Sequence, residues 1–173
     1  MNINNTVHSL FEDGLIGIGL NPTSTQSKMS SATNLIDLLH DGFYIVFLLK
    51  QQYIPSNVDE FRDKILNLLN HFENQARKLQ FSADDIHDAK YAYCALLDET
   101  IVTQQSAQFF DLQNNWMISP LQLSLFGSQL AGYRFFEILE FLRSQGKDRL
   151  AALEVFHYCM LLGFYGKFRI ESI

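Results

Sequence analysis

A run of eleven residues, KYAYCALLDET from Lys90 to Thr100, is apolar on nearly every side of a helix and ends in two carboxylates. Between Tyr91 and Leu97 this helix has no polar face, and a helix of that kind is buried on all sides. Other helices must therefore surround it. The run predicts a helical bundle with this helix at its centre.

The rest of the chain supplies helical periodicity from about residue 31 onward and no convincing strand alternation, so we predict an all-α fold. Residues 1–30 are predicted to be a flexible lead-in, residues 31–173 a helical domain, and residues 104–115 a polar connection. The central run belongs to a helix that is predicted to begin with an N-cap at Ser82. The other helices are predicted over 32–52, from an N-cap at Asn57, from Ser119-Pro120 to Phe126, over 131–145 up to Gly146, and from an N-cap at Asp148 to about Gly163.

Charge and composition exclude several classes of function. The net charge is −6 and the chain carries no cluster of Lys or Arg, which argues against binding nucleic acid or anionic lipid. The longest apolar run, Phe43 to Leu49, is much shorter than the roughly 20 residues of a membrane-spanning helix, so we expect the chain as given to be soluble. Cys94 and Cys159 lie in apolar runs and are predicted to be reduced core thiols, as in a cytosolic protein.

Asp98 and Glu99 are the first candidate site, because they end a helix that is otherwise apolar. An unpaired buried carboxylate is costly, so these side chains must reach solvent, meet a partner or line a cleft. Successive helical residues point about 100° apart, so the two carboxylates do not form a matched acid and base. The residues alone favour solvated charges, and an acidic docking patch for a partner is the functional alternative.

Carboxylate and imidazole three residues apart suggest a second candidate, because di-metal helical bundles place their ligands at this spacing. The apolar stripes of the neighbouring helices supply no further carboxylates, so no metal, cofactor or catalytic residue is predicted, and a di-metal carboxylate enzyme is the alternative of another class. Trp116 is interpreted either as a lid on a second helical bundle or as an interface anchor. The three pairs with this spacing are Asp37 and His40, Asp84 and His87, and Glu154 and His157.

Three motifs in this order resemble the DotU/IcmH/TssL family of bacterial secretion proteins. They are YAYCALLDE, Trp116 with the following PLQLSLFG and AGYRFFEILEFL, and LEVFHYCMLLGFYGKFRI, and they lie between Tyr91 and Ile170. The resemblance implies two small packed helical bundles of six to eight helices in all, with a cleft between them. It also implies a cytoplasmic domain followed by a transmembrane helix, and we expect this chain to be the soluble domain that precedes that helix.

The resemblance further implies a non-enzymatic adaptor at the cytoplasmic face of the inner membrane. Its partners would be an inner-membrane protein of the IcmF/TssM type, baseplate components of a type VI secretion system, and a second copy in the full-length protein; nucleic acid and small-molecule substrates are not expected. A stabilising subunit of a type IVB system is the alternative. The family places essential acidic residues where this chain has Asp98 and Glu99, which favours the docking patch, with Trp116 beside it.

The resemblance is weaker over one internal segment, and two cations follow the last predicted helix. The segment TQQSAQFFDLQNN, residues 103–115, departs from the family pattern, so its shape and partners are not implied by the resemblance. Lys167 and Arg169 lie where the family's chain turns toward the membrane, and we expect them to meet lipid head groups or to cap helix carbonyls.

Overall fold

The computed structural model describes residues 34–128 and 130–168, and within these ranges the chain is helical, with turns and no strand. The prediction of an all-α fold is confirmed. The lead-in predicted over residues 1–30 and the side chain of Arg169 lie outside the described residues. No helix in these two ranges is long and apolar enough to cross a membrane.

The described α-helices range from 4 to 21 residues in length, and two of them are preceded by a 3₁₀ turn. The 3₁₀ turns are Ala107–Phe109 and Gly146–Arg149. The α-helices are α1 (Leu35–Leu38), α2 (His40–Lys50), α3 (Val58–Lys78), α4 (Ala83–Val102), α5 (Phe110–Ile118), α6 (Leu121–Phe126), α7 (Ala131–Gln145) and α8 (Leu150–Leu161).

Helix α4 is the centre of the fold, as its sequence predicts. Every residue from Tyr91 to Asp98 is buried. The helix packs against α2, α3, α5, α6, α7 and α8, so apolar side chains on all its faces leave water. Burial of this kind contributes about 25 cal/mol per Å² of apolar surface, so α4 stabilises the fold through its contacts with six other helices.

The predicted caps at the starts of α3 and α4 are confirmed. The Asn57 side-chain oxygen accepts hydrogen bonds from the backbone N–H groups of Asp59 at 3.0 Å and Glu60 at 3.1 Å. The Ser82 hydroxyl accepts from the N–H of Asp85 at 3.0 Å. These bonds satisfy N–H groups that have no partner inside the first turn of a helix.

The polar connection predicted over residues 104–115 is wrong, because most of this segment is the first 3₁₀ turn and α5. Phe109, Leu112 and Trp116 are buried along one side of it. A stripe of three residues inside a run of Gln, Asn and Ser is too short to stand out as helical periodicity. The segment folds as a helix because that stripe has α3 and α4 to pack against.

Two helix boundaries also differ from the predictions. The first predicted helix is divided at Leu39 into α1 and α2. Asp148 does not cap the last helix, since it lies in the second 3₁₀ turn and α8 begins at Leu150. Boundaries of this kind depend on backbone geometry at single residues, which periodicity does not report.

Helix α2 approaches α4 closely at Gly42. The Tyr93 hydroxyl, fully buried, donates a hydrogen bond to the Gly42 carbonyl at 3.1 Å. A Cβ atom on residue 42 would lie 2.8 Å from the Tyr93 ring. The absence of a side chain at this position therefore sets the distance between the two helices.

We expect Gly42→Ala to lower the free energy of unfolding by about 1–3 kcal/mol, because a buried ring and a helix must move apart to admit one methyl group. Urea denaturation measures the change. His40→Ala, on the exposed side of the same helix, is the control and is expected to stay within about 0.5 kcal/mol of the wild type. An unchanged midpoint for Gly42→Ala would contradict the close approach.

Candidate functional site

The two carboxylates at the end of α4 bind two different segments of the chain. Successive helical residues diverge by about 100°, so Asp98 points toward α5 and α6, and Glu99 points toward the segment after α8. Both carboxylates accept hydrogen bonds from backbone N–H groups. The end of α4 is therefore a junction between three parts of the fold.

Asp98 is buried and uses both of its oxygens. Oδ1 accepts hydrogen bonds from the Trp116 indole N–H at 2.7 Å and from the Leu121 backbone N–H at 3.0 Å. Oδ2 accepts from the backbone N–H of Gln122 at 2.9 Å. Leu121 and Gln122 begin α6, whose first N–H groups lack partners within the helix, so Asp98 caps α6 from another helix.

Trp116 connects this junction to α3. Its side chain is 0% exposed, its ring centroid lies 5.7 Å from that of Phe61, and the Arg62 guanidinium lies 4.3 Å above its ring. This is the position of a lid over the core. The partner-binding role predicted for Trp116 stays a prediction, and the indole itself does not reach the surface.

Glu99 is partly exposed and holds the chain after α8. Its Oε1 accepts a hydrogen bond from the Tyr165 N–H at 2.9 Å, and its Oε2 accepts from the Gly166 N–H at 2.7 Å. Gly163 and Gly166 have φ values of 93° and 52°, which side chains rarely adopt, so glycine allows the turn that brings these N–H groups to Glu99. The last helix was predicted to run to about Gly163, and α8 ends two residues earlier, at Leu161.

Burial shifts the pKa of Asp98 and of the two cysteine thiols. It raises the pKa of Asp98, although the hydrogen bonds from Gln122, Trp116 and Leu121 and the charge of Arg62 act in the opposite direction. Burial also raises the pKa of both cysteine thiols, which remain protonated. The interpretation of Cys94 as a core residue is confirmed, since its side chain is 0% exposed.

The carboxylate and imidazole pairs do not come together. His40, His87 and His157 are exposed on separate helices. In the ranges that the structure describes, no three His, Cys, Asp or Glu side chains are grouped as metal ligands. His40 and His87 contact the neighbouring carboxylates of Asp41 at 3.4 Å and Asp88 at 3.2 Å.

A cleft of about 780 Å³ opens beside the N-terminal half of α4. We call it the α4–α7 cleft. Whether it is the cleft that the family resemblance implies stays a prediction. Its lining combines charged and apolar side chains, from Asp84, His87, Asp88, Tyr91, Leu125, Phe126, Ser128, Arg134, Glu137, Ile138, Phe141 and Arg149.

Arg149 closes one end of this cleft and was missed by the sequence analysis. Its Nε donates to Asp85 at 2.7 Å, and its Nη2 donates to Asp88 at 2.6 Å. These two bonds raise the pKa of the guanidinium, although burial acts against them. The only signal in the sequence is the spacing of Asp85 and Asp88, three residues apart on one helix face.

Two glutamines were missed as well. The Gln113 amide donates to the carbonyls of Ile101 at 3.1 Å and Gln104 at 2.7 Å, which satisfies backbone groups at the end of α4. The Gln122 amide donates to the Tyr91 carbonyl at 2.7 Å. No sequence pattern identifies these bonds, because each depends on the tertiary position of α5 or α6.

Lys167 lies at the end of the described chain, beside two aromatic rings. Its ammonium is 5.6 Å from the Phe136 ring centroid and 5.1 Å from that of Phe168. Contacts of this kind are favourable for a cation. The membrane-proximal role predicted for Lys167 and Arg169 stays a prediction.

Comparison with known proteins identifies relatives of this chain. Residues 34–172 match the family model described as "Type VI secretion system protein DotU". The solved cytoplasmic domain of TssL from Acinetobacter baumannii is 76% identical, with a TM-score of 0.80 over 82% of this chain and 88% of that one. The SciP/TssL structure from enteroaggregative Escherichia coli 042 is 23% identical, covers 82% of this chain and 76% of that one, and shares the fold with a TM-score of 0.66. A search of curated proteins gives no match.

We expect Asp98→Asn to lower the free energy of unfolding at neutral pH by about 2–3 kcal/mol, because the amide turns an N–H group toward a buried N–H donor and leaves that donor without an acceptor. Urea denaturation followed by circular dichroism measures the difference. Asp63→Asn, on the exposed face of α3, is the matched control and is expected to change stability by less than about 0.5 kcal/mol. Equal effects of the two substitutions would refute the role given to Asp98.

The same pair of proteins, wild type and Asp98→Asn, tests the direction of the pKa shift. Burial raises the pKa of Asp98 above its ordinary value of 3.8, so the folded protein holds this proton more tightly than the unfolded chain does. The part of the free energy of unfolding that depends on this proton is then fully present below the ordinary pKa, and it decreases as the pH rises through the raised pKa. We expect the stability difference between wild type and variant to narrow as the pH is raised from about 4. A difference that widens would show that the hydrogen bonds outweigh burial.

Proposed function

This chain belongs to the DotU family of type VI secretion system proteins, and from that membership we propose that it acts as a non-enzymatic adaptor that docks cytoplasmic baseplate components to the inner membrane. The observation that carries the proposal is the family match over residues 34–172. The family description and the names of both similar structures favour type VI over type IVB secretion.

We propose that the domain lies at the cytoplasmic face of the inner membrane, as the description of the similar structure from Acinetobacter baumannii suggests for its own chain. The proposed partners are an inner-membrane protein of the IcmF/TssM type, baseplate components, and a second copy in the full-length protein. The net charge of −6 disfavours binding of nucleic acid, which is also negatively charged, so protein partners are favoured.

The proposed docking surface includes the junction at the end of α4. Glu99 is partly exposed, so a partner can reach it, whereas Asp98 and Trp116 are buried and act through the segments they hold. Asp98 sets the position of α6, and Glu99 sets the position of Tyr165 and Gly166. The acidic pair therefore supports docking by shaping the surface as well as by its charge.

The family is a structural component of secretion, which favours the adaptor over the di-metal enzyme. Metal analysis of protein purified without chelators separates the two functions. An adaptor carries no metal in stoichiometric amount, and two metal ions per chain would favour the enzyme.

We expect the immobilised full chain to capture purified baseplate components and the inner-membrane partner, and Glu99→Gln to capture about tenfold less, a loss of about 1.4 kcal/mol. The amide keeps the size of Glu99 but removes its charge and one of the two oxygens that accept the Tyr165 and Gly166 N–H groups. Pull-down with quantified recovery of each component measures the effect.

Asp63→Asn is the control, since it makes the same acid-to-amide change at an exposed carboxylate on α3, and circular dichroism checks that all variants are helical. Equal recovery by Glu99→Gln would leave the adaptor function and move its docking surface elsewhere. No recovery of any secretion component by the wild type would overturn the adaptor function.

A further inference from the structure

We propose that the α4–α7 cleft binds a short segment of a partner protein in which a basic side chain stands beside a large apolar one. The proposal rests on the adaptor function proposed above and specifies the chemistry of one partner. It concerns a surface distinct from the junction at Asp98 and Glu99, because no lining residue of the cleft belongs to that junction.

One wall of the cleft carries an excess of negative charge. Asp84, Asp88 and Glu137 line it, and Asp85 lies beside them, so four carboxylates face the two guanidiniums of the cleft, Arg134 and Arg149. Two negative charges remain uncompensated at neutral pH. A basic side chain of a partner is the complement of this wall.

The two arginines differ in the number and length of the ion pairs that they form within the chain. The Arg149 side chain is only 14% exposed and binds both Asp85 and Asp88. Arg134 makes a longer contact of 3.6 Å with Glu137, and both of these side chains are well exposed. Asp84, exposed in the first turn of α4, has no ion pair or side-chain hydrogen bond with any described residue, so its carboxylate is open to a cation from outside.

Apolar side chains from α6 and α7 form the other part of the lining, which we call the apolar wall. Leu125, Phe126 and Ile138 line it, and Phe141 is 53% exposed although it is aromatic. Covering these side chains with an apolar residue of a partner removes apolar surface from water. Burial of this kind supplies affinity, and the acidic wall supplies the orientation and choice of partner.

Tyr91 adds a polar group without a well-formed hydrogen bond. Its side chain is 3% exposed, and its ring packs edge-on against Phe126 with centroids 5.1 Å apart. Burial raises the pKa of this phenol, while the Ser128 side chain, its polar neighbour, acts in the opposite direction. The contact with Ser128 does not reach hydrogen-bond geometry, and no other described residue supplies a partner. A buried hydroxyl without a well-formed hydrogen bond is costly, and a polar group of a bound segment can supply one.

The length of the cleft favours a peptide segment over a compact molecule. The lining residues of α7 recur along one face at Arg134, Glu137, Ile138 and Phe141. Seven residues of helix rise about 10 Å, which matches three or four residues of an extended chain. A segment of this length places a basic and an apolar side chain against the two walls at the same time.

The experiment is a selection of phage-displayed random 12-residue peptides on the full chain, with counter-selection on Asp84→Asn/Phe141→Ser. We expect enriched peptides to place Arg or Lys next to Leu, Ile, Phe or Trp. A synthetic peptide with the enriched sequence should bind the double variant at least about tenfold more weakly than the wild type in a fluorescence anisotropy titration.

The matched control is Phe110→Ser/Asp111→Asn, which removes an exposed aromatic ring and an exposed carboxylate from α5, away from the cleft. This variant should bind the peptide like the wild type. Tyr91→Phe should weaken binding without lowering the thermal midpoint, because it removes a hydroxyl that makes no well-formed hydrogen bond in the free protein.

Peptides without basic enrichment, equal binding by the cleft variant, or no enrichment at all would each overturn the proposal. The adaptor function is tested separately by capture of purified secretion components. If the wild type captures them and the peptide selection fails, the cleft inference is wrong and the adaptor function stands. If the wild type captures none, the adaptor function fails whatever the selection gives.

Discussion

The hydrogen bonds from backbone N–H groups to Asp98 and Glu99 are the contacts on which the rest of the structure depends. One carboxylate receives the start of α6, and the next receives the turn after α8. Because neighbouring residues of a helix diverge by about 100°, two adjacent acids hold segments on different sides of α4. A single helical end thereby sets the relative positions of elements that are far apart in the sequence.

Burial of a charge at this junction is tolerated because its hydrogen-bonding capacity is used. An isolated carboxylate in the core would cost several kcal/mol. Three donors reach Asp98, and one of them, the Trp116 indole, also covers the core beside Phe61. Packing and charge compensation at α4 are therefore supplied by the same side chains, and neither can be changed alone.

Much of the fold follows from the sequence, but the site follows only in part. The central position of α4 and the caps at Asn57 and Ser82 are determined by local patterns, which one sequence displays. Asp98 and Glu99 were identified as unusual because acids end an apolar run. Their partners depend on which N–H groups the tertiary fold brings near them, and no local pattern encodes that. The same reason explains why Arg149 and α5 were missed.

The ion pairs of Arg149 have a consequence for how the chain folds. Arg149 is separated from Asp85 and Asp88 by 64 and 61 positions, and Tyr165 from Glu99 by 66. Contacts between such distant residues form slowly, because long loops must close first. During synthesis, both ends of α4 leave the ribosome well before the residues that bind them. The faces of α4 that pack against later helices are exposed in that interval, which makes this helix prone to aggregation in the nascent chain.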